Sequence, residues 1–139
     1  MTKPTRKDLI SANRKDIHID LAKSNKSRSL IPHPLDLITL PHNALPEIDF
    51  NEVDTTCKFL NTRLSFPFMI TGMTGGTQRG DNLNLAFAEV ANQCKVAMGV
   101  GSQRSSIAHN RRQSELRRVA PAIPLVGNLG GVQLAQKNG

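Results

Sequence analysis

Three polar segments that contain glycine could together bind a phosphate group or a flat ring. They are residues 71–76, 101–104 and 127–131, and each follows a short, mainly apolar run. Glycine lets a backbone approach a ligand closely, and the free N–H groups of such loops can donate to an anion. The segments also contain neutral hydrogen-bonding side chains and a guanidinium whose shape suits phosphate, namely Thr74, Ser102, Asn128 and Arg104.

The apolar runs before these segments predict buried strands of a parallel sheet. They occupy residues 66–70, 96–100 and 123–126. A helix is predicted at about residues 80–94, with Asp81 as its N-cap, and a basic helix at about 110–119. Repeated strand, loop and helix units are typical of an α/β fold, whose ligands bind at the carboxyl ends of the strands. The segments are therefore expected to converge, and glycines that only form tight turns are the alternative interpretation.

The N-terminal part of the chain contains a second group of candidate residues. Residues 1–12 are predicted to form a polar arm, and a helix is predicted from Asn13. Arg14 and Lys15 are adjacent cations, and His18 lies one turn from Arg14, so the three could clamp a diphosphate. A solvated basic face is the alternative, and spacing alone favours it. The apolar side of this helix is predicted to contain Ile17, Leu21 and Ala22.

The composition indicates a single small domain with an anionic partner. The 139 residues carry a formal net charge of +7 and are 38% hydrophobic. The absence of Trp and Tyr gives little support to base stacking, so phosphate on a small molecule is favoured over nucleic acid. The two cysteines have no metal-ligand spacing, and no apolar stretch resembles a membrane span or a secretory signal. A cytoplasmic protein without a membrane partner is therefore expected.

The regions between these candidate residues predict less regular structure. The prolines of residues 30–48 favour an extended lead-in, and residues 53–64 favour a short hairpin.

Four motifs in this order resemble the type 2, FMN-dependent isopentenyl-diphosphate delta-isomerases. The motifs are Arg14-Lys15-Asp16-x-His18-Ile19, Met73-Thr74-Gly75-Gly76, Gly101-Ser102-Gln103-Arg104 and Asn128-Leu129-Gly130. The resemblance covers residues 13–131 and corresponds to the N-terminal portion of the family. Because that family has a TIM-barrel fold, the resemblance implies a truncated, partial (β/α) barrel for residues 13–139. About three parallel strands are expected, with an N-terminal helix and a hairpin, and the barrel is expected not to close within this chain.

The resemblance also implies roles for individual residues. Substrate contacts are implied for Arg14 and Lys15, which match a pair that grips the diphosphate, and for Ser102, Gln103 and Arg104. Flavin contacts are implied for Gly72, Met73, Thr74, Ser102 and Asn128. His18 is assigned a supporting role, and no catalytic residue or metal ligand is assigned in this chain.

The reaction implied by the resemblance converts isopentenyl diphosphate to dimethylallyl diphosphate in isoprenoid biosynthesis. Reduced FMN would act as acid and base, NADPH would be the reductant, and Mg²⁺ would assist diphosphate binding. The family's Mg²⁺ ligand and FMN phosphate loops have no counterpart here, so the chain alone is expected to be inactive. The complete family enzyme is expected to be a homo-oligomer, and a complementary C-terminal fragment is another expected partner. The alternatives are a fragment of another FMN-dependent barrel enzyme and a small basic nucleic-acid-binding protein.

Overall fold

A computed structural model describes residues 6–108 and 114–135 of the protein. Five helices and five strands in this part of the chain are, in order, α1 (Arg6–Lys23), β1 (Cys57–Phe59), β2 (Thr62–Leu64), β3 (Met69–Ile70), α2 (Gln78–Cys94), β4 (Ala97–Ser102), α3 (Arg104–Ala108), α4 (Ser114–Val119), β5 (Leu125–Asn128) and α5 (Gly131–Ala135). The predicted hairpin and the predicted strand at 96–100 correspond to β1–β2 and β4.

The described strands form two sheets of different kinds. β1 and β2 are antiparallel, with Cys57 opposite Leu64, and the turn between them places Leu60 and Asn61 at φ 45° and 62°. The other sheet is parallel and has the order β3-β4-β5, with Met98 opposite both Ile70 and Leu125. β4 is therefore central, which explains why Ala97–Val100 is completely buried.

The prediction of a partial TIM barrel is wrong for this structure. The described residues form a small α/β domain in which a two-stranded antiparallel sheet lies beside a separate three-stranded parallel sheet. A TIM barrel needs eight parallel strands that close on themselves. Strand, loop and helix units are common to barrels and to open sheets, because both arise from the same local crossover. The local pattern therefore could not distinguish between these architectures.

The predicted buried strand at residues 66–70 is also corrected. Only Met69–Ile70 forms β3, and the side chains of Phe66 and Phe68 are 42% and 68% exposed. β3 is at one end of the strand order, where a single neighbour, β4, pairs with it. An apolar run is thus no guarantee of burial on both faces when the strand lies at an edge.

The core packs helices α2 and α4 against β4. Ala88 and Ala91 of α2 are fully buried, and Met98 of β4 is 1% exposed. These two small residues let the helix lie close to the sheet. The remaining buried members of the core are Val96, Val100, Leu116, Ala120 and Ile123. Leu85 of α2 also packs on this core, whereas Val90 on the same helix is 51% exposed.

The basic helix near the C-terminal end has a structural function in its described part. α4 begins at Ser114, and Arg111 and Arg112 lie outside the described residues. Arg117 donates to the carbonyl oxygens of Ala120 and Ile123 at 3.2 and 2.9 Å, which closes the turn before β5. Arg118 lies 3.8 Å from Glu115, as expected for a solvated face.

Helix α1 begins earlier than predicted and buries a different residue. It starts at Arg6, so it includes part of the segment predicted as a polar arm. Ile19 is 9% exposed, whereas Ile17 and Leu21 are 48% and 47% exposed. Three short 3₁₀ turns lie between α1 and β1, and one of them, Pro34–Leu37, is within the predicted lead-in. The lead-in also exposes several apolar side chains. No helix among the described residues is long and apolar enough to span a membrane.

We expect Met98→Ala to lower the free energy of unfolding by about 2–5 kcal/mol, because it leaves a cavity between β4 and the helices. Met73→Ala is the matched control, since the Met73 side chain is 79% exposed. Urea unfolding followed by circular dichroism measures both. Equal losses in the two variants would contradict this location of the core.

Candidate functional site

The parallel sheet brings the first two glycine-containing segments into contact at one edge. A Cβ added to Gly101 would lie 2.0 Å from the carbonyl oxygen of Thr74. A Cβ added to Gly72 would lie 2.5 Å from the carbonyl carbon of Val100. Both distances are far inside van der Waals contact, so these loops pack backbone against backbone. These glycines are needed for the contact between the loops.

The third segment joins this edge through Gln103. Its backbone N–H donates to the carbonyl oxygen of Asn128 at 2.9 Å, and its side-chain amide donates to the carbonyl oxygen of Gly101 at 2.8 Å. Gln103 therefore braces the loops after β4 and β5. The family resemblance implied a substrate contact for Gln103, but the sequence did not indicate these two hydrogen bonds.

Polar contacts attach α1 to the beginning of α2. The hydroxyl of Thr77 donates to Asp16 at 3.0 Å and accepts from the backbone N–H of Gly80 at 3.0 Å. Thr77 is thus the N-cap of α2, in place of the predicted Asp81. One turn further along α1, Asp20 forms an ion pair with Arg79 at 2.8 Å. These contacts fix the part of α1 that carries Arg14 and Lys15.

Lys15 and Asp81 hold opposite sides of one peptide group in the first loop. The Lys15 ammonium donates to the carbonyl oxygen of Gly75, and the backbone N–H of Gly76 donates to Oδ1 of Asp81 at 3.0 Å. The Gly75–Gly76 peptide therefore lies between a cation from α1 and a carboxylate from α2. This arrangement aligns the loop with both helices.

Partial burial and neighbouring cations lower the pKa of Lys15 from its ordinary value of 10.5. Desolvation has the largest effect, and the guanidinium of Arg104 adds to it, as does that of Arg14 to a smaller extent. The carboxylate of Asp81 opposes them. Lys15 thus lies within electrostatic range of a second cation on α1 and of one at the start of α3. A bound anion would relieve their mutual repulsion.

A cavity of about 720 Å³ lies between α1, α2, the end of β3 and the middle of β4. Its size is within the range of pockets that bind small molecules. Its floor is mostly apolar, and its ionisable lining groups are all basic or histidine. The apolar residues include Ile19, Ile70, Met73, Leu83, Phe87 and Met98. The ionisable residues are Lys15, His18, Lys23 and Arg79.

The structure separates the predicted site residues into two groups. Lys15, Met73 and Thr74 line the cavity, and His18 joins them. Ser102 and Asn128 are exposed at the ends of β4 and β5, and Arg104 at the start of α3 and Arg14 on α1 are exposed as well. Gly72 supports the contact between the loops.

Sequence reasoning missed three residues that hold the first loop, namely Thr77, Asp81 in its contact with Gly76, and Asn84. The usable signal was their position in the cap and first turns of a helix that follows a glycine-rich loop. Among the described residues, no group of three His, Cys, Asp or Glu side chains could hold a metal ion.

We expect Gly101→Ala to displace the loop that contains Thr74 and to lower the free energy of unfolding, because its new methyl group would collide with backbone. Gly131→Ala is the control, since an added Cβ there meets nothing within 4 Å. Urea unfolding and amide chemical shifts of residues 72–76 measure both changes. Unchanged shifts in Gly101→Ala would contradict the close packing.

Comparison with known proteins finds relatives that carry the same enzyme name. No family model matches the chain. An isopentenyl-diphosphate delta-isomerase of Vibrio parahaemolyticus is 40% identical over 129 residues, which are 90% of this chain and 38% of that protein. Enzymes of the same name from Metallosphaera sedula and Methanothrix thermoacetophila are 38% and 41% identical, and the chain covers 36% and 35% of their lengths. Over about nine-tenths of its length, the chain is therefore similar to part of these isopentenyl-diphosphate delta-isomerases, and it spans little more than a third of their length.

Proposed function

We propose that this chain supplies diphosphate-binding and cofactor-binding residues for the isomerisation of isopentenyl diphosphate to dimethylallyl diphosphate. The observation that carries the proposal is the joining of Lys15 to the loop after β3, within electrostatic range of Arg104 and Arg14. Relatives that bear the isomerase name support this reaction. They do not support the two alternatives, nucleic-acid binding and the reaction of a different flavin enzyme.

The cationic residues suit a diphosphate for two reasons. Arg104 presents a planar fork of donors that can engage two phosphate oxygens, and Lys15 is a compact charge on a tethered side chain. Lys15 is also partly desolvated, so its attraction to an anion is screened less than that of a fully exposed lysine. The diphosphate would be held between α1 and the end of β4.

The strand-end residues also suit the FMN that we propose as the cofactor. Met73, Ser102 and Asn128 are exposed at the ends of neighbouring strands and offer a thioether, a hydroxyl and an amide. The close backbone packing beneath them provides a firm support for a flat ring. When bound and reduced, FMN would supply the acid and base chemistry, with NADPH as the proposed reductant.

The roles of this chain's own residues would be binding and orientation. Arg14, Lys15 and Arg104 would fix the diphosphate, and Ser102 would lie between substrate and flavin. We also propose that Gln103 contacts substrate, although its side-chain amide donates to the backbone of Gly101. Mg²⁺ would assist diphosphate binding, and we assign no ligand for it here.

Binding of inorganic pyrophosphate tests the proposed diphosphate site. We expect Lys15→Gln and Arg104→Gln each to weaken binding roughly five- to tenfold, since each removes a charge-assisted hydrogen bond. Arg63→Gln is the control, because Arg63 lies in the hairpin and pairs with Asp54 at 3.7 Å. Isothermal titration calorimetry gives the dissociation constants.

The same titration has a second readout in the protonation of Lys15. Bound diphosphate should raise the lowered pKa of Lys15, so binding should take up protons at alkaline pH below 10.5. Buffers with different heats of ionisation measure this uptake, which Lys15→Gln should abolish. Equal affinity in all variants, with no proton uptake by the unmodified chain, would contradict the site.

We further propose that the chain alone does not turn over isopentenyl diphosphate, since it spans 35% to 38% of the length of these relatives. The purified chain, supplied with reduced FMN, Mg²⁺ and isopentenyl diphosphate, should form no dimethylallyl diphosphate. A complete homologous isomerase assayed in parallel is the positive control. Product formation by the chain alone would overturn this proposal and would show that the residues present suffice.

A further inference from the structure

Asn84 is a buried polar side chain on α2 whose amide faces the loop after β3. It is 5% exposed. Its Oδ1 accepts from the hydroxyl of Thr74 at 2.5 Å, and its Nδ2 donates to the backbone carbonyl oxygen of Thr74 at 3.3 Å. Both ends of one amide thus contact one residue.

The backbone carbonyl of Thr74 decides the orientation of this amide. A carbonyl oxygen only accepts hydrogen bonds, so Nδ2 must face it and Oδ1 must face the hydroxyl. The opposite orientation would place two acceptor oxygens together inside the protein, at the cost of an unsatisfied buried group. The hydroxyl of Thr74 must therefore donate its single hydrogen to Asn84.

This direction fixes what Thr74 can offer to a ligand. A threonine hydroxyl has one hydrogen and two lone pairs, so after donation to Asn84 it can only accept. Thr74 lines the cavity. A ligand that reaches its hydroxyl can give it an N–H or O–H but can receive no hydrogen from it. The site thus favours a ligand that presents a donor at this position.

Asn84 also lies among other contacts that restrain the same loop. The Nδ2 of Asn84 is 3.1 Å from the position of a Cβ added to Gly75. Asp81, three residues earlier on the helix, accepts from the backbone N–H of Gly76. The first two turns of α2 therefore form hydrogen bonds with Thr74 and Gly76 and leave little space beside Gly75, which restrains Thr74 against the helix.

We propose that Asn84 is a positioning residue that makes Thr74 an obligatory hydrogen-bond acceptor and thereby favours reduced over oxidised flavin. This inference rests on the proposed function for its ligand. Reduction adds hydrogen to ring nitrogens of a flavin, so the reduced ring presents N–H donors where the oxidised ring presents acceptors. An acceptor that cannot donate discriminates between the two forms.

The test compares Asn84→Leu with Asn92→Leu, the same change on the same helix. Asn92 also forms a structural hydrogen bond, accepting from the backbone N–H of Ala122 at 3.1 Å, and so controls for lost stability. Dissociation constants of the full chain for oxidised and reduced FMN are measured anaerobically, together with the midpoint potential of the bound flavin.

We expect the unmodified chain and Asn92→Leu to bind reduced FMN more tightly than oxidised FMN. In Asn84→Leu the ratio of the two constants should fall about fivefold or more, because Thr74 regains a hydrogen to donate. The midpoint potential of the bound flavin should fall as this ratio falls. Thr74→Val leaves Asn84 in place but removes the acceptor, so it should cause the same loss of preference for reduced FMN. This variant provides the test if Asn84→Leu does not fold. An unchanged ratio in Thr74→Val, or in a folded Asn84→Leu, would overturn the inference.

A readout without flavin separates this inference from the proposed function. Three-bond couplings measured by NMR should show one fixed χ1 rotamer for Thr74 in the unmodified chain and in Asn92→Leu, and rotamer averaging in Asn84→Leu. A fixed Thr74 in a chain that binds no flavin would support the role of Asn84 and refute the proposed cofactor. An averaged Thr74 in the unmodified chain would overturn the role of Asn84.

Discussion

The organisation of the site depends on the direct backbone contact between the loops after β3 and β4. Gly101 lies against the carbonyl group of Thr74, and Gly72 lies against Val100, in positions where an added methyl group has no room. Such contact is possible only because β3 and β4 are parallel neighbours whose carboxyl ends meet at one edge. Once the loops touch, the residues that directly follow Gly72 and Gly101 face outward. Met73 and Ser102 are consequently exposed at the ends of adjacent strands.

The same contact creates the surface on which α1 docks. This helix buries one large apolar side chain, Ile19, and otherwise attaches through Lys15, Asp16 and Asp20. Polar attachment fixes orientation because each donor needs its own acceptor. Partial burial disfavours the charged form of Lys15, and the carboxylate of Asp81 offsets part of that cost. A lysine held in this way completes the fold around the loop.

Much of the local structure could be predicted from the sequence, and the errors have physical causes. The helix ending at Cys94 follows from apolar periodicity, and the strand at 96–100 follows from a short apolar run; both are local properties. The apolar face assigned to Ile17 and Leu21 was wrong because α1 docks mainly by polar contacts, which periodicity does not reveal. The partial barrel was wrong because the same strand-loop-helix units can build different sheets. Thr77 replaced Asp81 as the helix cap because Asp81 binds the N–H of Gly76 inside the loop.

The residue types that follow the strands can be taken from the amino-acid order alone, since glycines and polar side chains come after the apolar runs. The same is true of the adjacent cations of α1 and of the motifs that resemble isopentenyl-diphosphate delta-isomerases. The contact of Lys15 with Gly75, sixty residues away in sequence, and the hydrogen bond that the Thr74 hydroxyl donates to Asn84 are visible only in the folded chain. Composition and spacing record what each side chain can donate or accept. The partner it finds depends on how distant segments pack.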